Sequence, residues 1–163
     1  MRALLRRLTP LRQRDFTRSI STPAPGVVWA FADGACRGNP GVGGCGARLV
    51  DAHTQQELAS ACEFLGDHET NNSAEYKGLR LALQLARDHD VQQLVVHMDS
   101  ELIIRQMLGV YRVKAPQLRL LHQECQQIQH GLATVHFQHI PREQNALADQ
   151  LANQAIDRRV QIQ

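Results

Sequence analysis

The feature that most narrows what this chain can fold into is a change of period near residue 70. Before it, three strand patterns follow one another with no helix between them: VVWAFAD at 27–33, an extended run at 45–50 beyond a loop punctuated by Gly38, Asn39, Pro40 and Gly41, and a third at 58–65. After it, Ala74, Leu79, Ala82, Leu83 and Ala86 recur at helical spacing, in a long helix entered through the capping types Thr70, Asn71, Asn72 and Ser73. QLVVHM at 93–98 reads as a fourth strand, Asp99 and Ser100 cap a helix through Leu108, and Pro116 opens a helix to His130. Residues 134–140 form the last strand and 145–157 the last helix. Successive strands joined by short loops make an antiparallel meander, whereas strands separated by helices return parallel. The order β-β-β-α-β-α-α-β-α therefore predicts an α/β fold: a mixed five-stranded sheet with strands one to three antiparallel, strands one, four and five parallel, and helices on its faces.

Residues 26–163 are expected to make one domain, with no internal repeat. A chain of 163 residues, 43% hydrophobic and 21% charged, buries roughly two-thirds of its unfolded surface and needs neither disulfides nor zinc to hold a core. Cys36, Cys45, Cys62 and Cys125 are scattered without a Cys-x-x-Cys pair, so buried thiols are the expectation. No run approaches the roughly 18 apolar residues of a membrane span, and a monomer is expected. Residues 1–25 are rich in Arg, Ser and Thr and close on two prolines, with Leu4, Leu5, Leu8 and Leu11 at helical spacing. That pattern fits a mitochondrial presequence, a disordered basic arm, or a start placed too far upstream. The protein is accordingly expected in mitochondria if the leader is a presequence, and otherwise in the cytoplasm.

Lys and Arg number 18 against 16 Asp and Glu, but six arginines lie in the first 25 residues beside one acid, Asp15. From Gly26 onward, 12 basic residues face 15 acidic ones, a net charge of about −3. Such a body cannot grip nucleic acid through a general basic field, because neutralisation of phosphates by Lys and Arg supplies that attraction. A polyanion binds only where something neutralises the carboxylates. The stretch Gly41-Val-Gly43-Gly-Cys-Gly46 matches the G-x-G-x-x-G pattern of dinucleotide sites, but a strand follows it where that fingerprint needs a helix. These glycines read as turn and edge residues.

Asp33 and Asp99 end strands one and four, so both project from the carboxyl-terminal edge of neighbouring parallel strands, where open α/β sheets bind ligands. Glu75, in the first turn of its helix, and Asp149, in the first turns of the last helix, approach the same edge. Singly, each has an ordinary structural role: a turn, a helix start, a cap, a solvated surface. Together they cluster without a neighbouring Lys or Arg in sequence, and clustered acids raise one another's pKa unless cations bind. Hard oxygen donors favour Mg²⁺ or Mn²⁺. Two such ions about 4 Å apart make a phosphoryl-transfer site, one preparing the attacking water and the other stabilising the leaving oxygen. They would also reverse the sign of the body's charge, so metal and polyanion should bind cooperatively.

Four segments carry a resemblance: DGACRGNPG from Asp33, ETNNSAEY through Glu75, HMDSEL around Asp99, and PREQNALAD from Pro141 to Asp149. In this order they resemble the motifs of type 1 ribonuclease H, over residues 28–156. The resemblance implies an endonuclease that hydrolyses the RNA strand of an RNA/DNA hybrid and leaves 5′-phosphate and 3′-hydroxyl ends. It places Asp33, Glu75, Asp99 and Asp149 as the metal-binding carboxylates. Asn39, Asn71 and Asn72 fall where the family contacts the hybrid and can read the 2′-hydroxyls that separate RNA from DNA.

His139 lies ten residues before Asp149, the spacing of the family's mobile histidine, and also fits a satisfied strand-end residue. Pro141-Arg142-Glu143 looks more like the compact archaeal and bacterial branch, in which Arg142 sits near the scissile phosphate; Arg142 ranks slightly above His139. Between Leu108 and Pro116 the chain is too short for the extra helix and basic protrusion of longer enzymes, which predicts a weaker grip. Arg112 and Lys114 are candidates for DNA-strand phosphates, or else a solvated face. The first 25 residues lack the core of a separate hybrid-binding module. Other nucleases of the same fold, and a non-catalytic hybrid-binding domain, are the competing readings.

Overall fold

The computed structural model describes residues 23–159 and the backbone of 161 and 162. The leader, with its presequence reading and the location drawn from it, therefore lies outside the described residues up to position 22. The elements run β1 (Val27–Gly38), β2 (Gly41–Asp51), β3 (Glu57–Glu69), α1 (Asn71–Asp88), β4 (Gln93–Met98), α2 (Glu101–Met107), α3 (Pro116–His130), β5 (Thr134–His139), a 3₁₀ turn (Arg142–Asn145), α4 (Ala146–Arg158) and β6 (Gln161–Ile162). The sheet order is β5-β4-β1-β2-β3-β6. β1 pairs antiparallel with β2, β2 with β3, and β1, β4 and β5 run parallel, as the order of elements predicts. The two-residue β6 extends the expected five strands by pairing with Cys62 and Glu63 at the edge of β3.

β1 is longer than its sequence pattern indicates. Its parallel pairing with β4 stops at Phe31↔His97, but its ladder with β2 continues from Asp33↔Gly46 to Gly38↔Gly41. Asp33 therefore does not end the strand. It sits where the parallel partner stops and a bare hairpin carries on, so a glycine-rich sequence read as loop is strand. The hairpin turns at Gly38, whose φ of +95° suits a residue without Cβ.

Two glycine contacts set the helices on the sheet. A Cβ on Gly34 would lie 2.1 Å from the Ala74 carbonyl carbon, and one on Gly78 would lie 2.4 Å from the Asp33 carbonyl oxygen, so α1 rides directly on the β1 backbone. On the opposite face, a Cβ on Gly44 would meet the Ala152 carbonyl oxygen at 2.5 Å, and one on Gly46 would meet Leu151 Cβ at 2.5 Å. Gly44 and Gly46 are thus not edge residues. They lie in an interior strand and open the space in which α4 packs.

α1 starts where the capping residues indicate. Thr70 is the N-cap, its hydroxyl accepts the Ser73 N–H at 3.2 Å, and the Ser73 hydroxyl accepts the Thr70 N–H at 3.2 Å. Because the helix begins at Asn71, Glu75 falls in the second turn and not the first. The core lies between the sheet and α1, α2 and α3, with Ala30, Leu49, Leu94 and Val96 against Leu79, Leu83 and Ile103. Within it the Tyr76 hydroxyl donates to Gln106 Oε1 at 2.6 Å and locks α1 to α2. Cys45, Cys62 and Cys125 are buried. No helix among the described residues is long and apolar enough to cross a membrane.

Candidate active site

Asp33 pairs with Gly46, so its side chain points to the α4 face, because neighbours along a strand alternate between faces. Only 9% exposed, its carboxylate accepts the Gly34 N–H at 2.9 Å. That bond is outweighed: burial, then the negative charges of Asp99 and Asp149, and a hydrogen bond shared with Asp149 raise the Asp33 pKa to about 8. Asp99 follows β4 directly, and its Oδ1 accepts the Asn145 side-chain amide at 2.6 Å. Glu75 reaches over from α1, where its Oε2 accepts the Ser100 hydroxyl at 2.7 Å. Burial and the Asp99 charge push the Glu75 pKa up, against the Ser100 hydrogen bond. Asp149 occupies the first turn of α4, 3.9 Å from the Arg142 guanidinium.

The four acids thus converge from four elements: Asp33 from within β1, Glu75 from the second turn of α1, Asp99 from just past β4 and Asp149 from the first turn of α4. Among the described residues no three His, Cys, Asp or Glu side chains are grouped in a geometry that could hold a metal ion as they stand. The donor set nevertheless suits a hard divalent cation: carboxylate oxygens that repel one another, with a single arginine at the limit of ion-pair distance.

The "Reverse transcriptase-like" family pattern matches residues 31–155. The chain is 34% identical over 143 residues to "Ribonuclease HI" of Halobacterium salinarum, covering 88% of this chain and 71% of that one. The chain belongs to the type 1 ribonuclease H family. It is also 39% identical over 126 residues to "Bifunctional protein Rv2228c" of Mycobacterium tuberculosis, and that match spans 77% of this chain but 34% of the relative, about a third of its length. Among solved structures, LC11-RNase H1 in complex with RNA/DNA hybrid superposes with a TM-score of 0.75 at 40% identity, covering 80% of this chain and 97% of that one.

Within this ribonuclease H fold, the remaining predicted residues fall at four places. Asn39, Asn71 and Asn72 come together: the Asn39 side-chain oxygen accepts the Asn71 N–H at 3.3 Å, and all three are exposed beside the start of α1. His139 is exposed at the end of β5, with Nε2 3.3 Å from the Asp99 carbonyl oxygen. Arg142, whose side chain is 80% exposed, stands on the 3₁₀ turn that leads into α4. Arg112 and Lys114 are exposed on the α2–α3 connection, where Arg112 lines a cleft of about 430 Å³ with Tyr111, Arg119 and His122.

Three residues escaped the sequence reading. Ser100 is the N-cap of α2 but makes no side-chain cap; its hydroxyl is spent on Glu75. Asn145, 1% exposed, donates both to the Ala32 carbonyl at 3.0 Å and to Asp99, joining β1 to β4 beneath the site. Asn153 donates to the Asp149 carbonyl at 3.0 Å and reaches its Oδ1 at 3.4 Å. The available signal was spacing: Asn145 and Asn153 stand one helical turn to either side of Asp149.

Proposed function

We propose that this protein is a metal-dependent endonuclease that hydrolyses the RNA strand of RNA/DNA hybrids and leaves 5′-phosphate and 3′-hydroxyl ends. The observation that carries this reading is the convergence of Asp33, Glu75, Asp99 and Asp149 from four elements, with Asp99 and Asp149 near enough to the buried Asp33 carboxyl to push its pKa up. A folded chain keeps such a repulsive cluster at low cost only where a cation offsets it.

Asp33, Glu75, Asp99 and Asp149 would hold two Mg²⁺ or Mn²⁺ ions, which supply an activated water and charge stabilisation at the leaving oxygen. The chain's own residues do the rest. Asn145 fixes the Asp99 carboxylate, and Ser100 fixes Glu75 and favours its ionised form. On binding cations, Asp33 would act as a ligand in its ionised form, its proton released to solvent. Asn39, Asn71 and Asn72, at an exposed turn and helix start, contact the RNA strand and its 2′-hydroxyls. Arg142, 80% exposed and joined to Asp149 by a long 3.9 Å contact, can turn to a phosphate, whereas the His139 ring is engaged by the Asp99 carbonyl, which supports Arg142 over His139. Arg112 and Lys114 hold phosphates of the DNA strand.

Analysis of the ends tests the reaction. Cut RNA should be ligatable at its new 3′ end without phosphatase treatment and should carry a 5′-phosphate. Cyclic or 3′-phosphate ends would show attack by the 2′-hydroxyl and overturn the proposal.

A further inference from the structure

The tip of the β1–β2 hairpin is tied in two directions. Toward the β3–α1 junction, Asn39 accepts the Asn71 N–H at 3.3 Å, and the Cys36 thiol donates to the Glu69 carbonyl at the end of β3 at 3.0 Å. Toward α4, the Arg37 guanidinium forks: one nitrogen pairs with Asp157 Oδ1 at 2.8 Å and the other donates to Asn153 Oδ1 at 3.3 Å. Asn153 is therefore engaged at both ends, its oxygen by Arg37 and its amide nitrogen by the Asp149 carbonyl and carboxylate. This pattern fixes which way the amide faces.

Asp149, Asn153 and Asp157 lie four residues apart, one stripe along α4 that carries two negative charges. Arg37 bonds to two of its three members, and it does so from the other element. Besides Asn153, the Asp149 side chain, 37% exposed, shares a hydrogen bond with Asp33, while Arg142 stands at 3.9 Å. Exposed ion pairs such as Arg37–Asp157 add little to folding stability. A planar guanidinium spanning two acceptors is instead a device for orientation, which an ammonium cannot reproduce.

We propose that Arg37 and Asn153 are positioning residues, a relay from the hairpin that sets the rotamer of Asp149 and so tunes its hold on a divalent cation. The inference rests on the metal-dependent reading above. Neither residue needs to touch the substrate.

Mn²⁺ titration followed by electron paramagnetic resonance on the full-length protein tests the relay. The variants are Arg37→Met, Arg37→Lys, Asn153→Leu and the Arg37→Met/Asn153→Leu pair, each with a thermal melt. Arg37→Met and Asn153→Leu should each weaken Mn²⁺ binding three- to tenfold with nearly unchanged melting. The double variant should be little worse than either, because residues in one chain of contacts are not additive. Arg37→Lys should fall between Arg37→Met and the parent, and KM for hybrid should move less than the Mn²⁺ requirement. Unchanged Mn²⁺ affinity in Arg37→Met and Arg37→Lys, or a loss confined to KM, overturns the relay. A parent protein that cleaves hybrid while the variants bind Mn²⁺ normally removes the relay alone. A parent that binds Mn²⁺, responds to Arg37→Met and cuts no hybrid removes the endonuclease reading alone.

Discussion

Asn145 donates its side-chain amide to the Asp99 carboxylate at 2.6 Å from a position 1% exposed to solvent. The same nitrogen reaches the Ala32 carbonyl, one residue before Asp33, so a single amide joins the middle of β1 to the residue that follows β4, beside two of the carboxylates. Asn145→Ala leaves both acceptors without this donor. It should cost about 1–3 kcal/mol of stability and at least about tenfold in kcat. Chemical denaturation and steady-state kinetics check the two effects. A variant with parental stability and rate would show that the amide positions nothing.

Asp33→Asn removes a charge that the metal-free fold holds at a cost. Its folded pKa, about 8, lies above the ordinary 3.8, so the native state binds the extra proton between those values. Metal-free stability contributed by this group is full below pH 4 and is lost as pH rises through 8. Thermal melts in chelator should therefore show Asp33→Asn gaining on the parent as pH rises from 5 to 8, by on the order of 1–3 kcal/mol at pH 7. Turnover with Mg²⁺ should nonetheless fall by about a thousandfold or more, because a charged ligand is lost. Parallel melting curves across that range would contradict the electrostatic description of the site.

Ser100 lowers the pKa of Glu75 by donating to its carboxylate, while burial and Asp99 raise it. Removing the hydroxyl in Ser100→Ala leaves only the raising influences. The acidic limb of the pH–rate profile should move upward, with a loss of about three- to tenfold at pH 6 that shrinks toward pH 8. A uniform loss at every pH would assign Ser100 a role other than tuning Glu75.

Gly78 carries α1 across β1 at the level of Asp33, where an added Cβ would lie 2.4 Å from the Asp33 carbonyl oxygen. Gly78→Ala should destabilise by about 1–3 kcal/mol as the helix is pushed from the strand. Because α1 also bears Glu75, kcat should fall more than stability alone explains. Urea denaturation beside single-turnover rates separates the two, and a neutral substitution would contradict the contact.

Much of this was readable from the chain because local signals agreed with the tertiary result. The switch from strand to helix at Thr70–Ser73 is a capping box, and the order of elements leaves few topologies open. Asp99 and Asp149 could be placed at one edge because they follow or begin an element, whereas Asp33 lies within β1 and Glu75 one turn into α1. What the sequence concealed depends on partners distant along the chain. The length of β1 was hidden because glycines that look like loop are paired with β2, and Gly44 and Gly46 show their purpose only once α4 lies over them. Ser100 reads as a cap until Glu75 is seen to take its hydroxyl. The spacing of Asn145 from Asp149 hints at a place near the site, but its role is hidden because its partners, Ala32 and Asp99, are 113 and 46 residues away.

The decisive measurement is cleavage of an end-labelled RNA/DNA hybrid by the purified full-length protein with Mg²⁺, with Mn²⁺ and with chelator, beside single-stranded RNA and duplex DNA. Internal cuts confined to the RNA of the hybrid, dependent on metal and lost in Asp33→Asn, are expected. Hybrid that is bound but left intact with either metal would contradict the catalytic reading and leave a scaffold that recognises hybrids without cutting them.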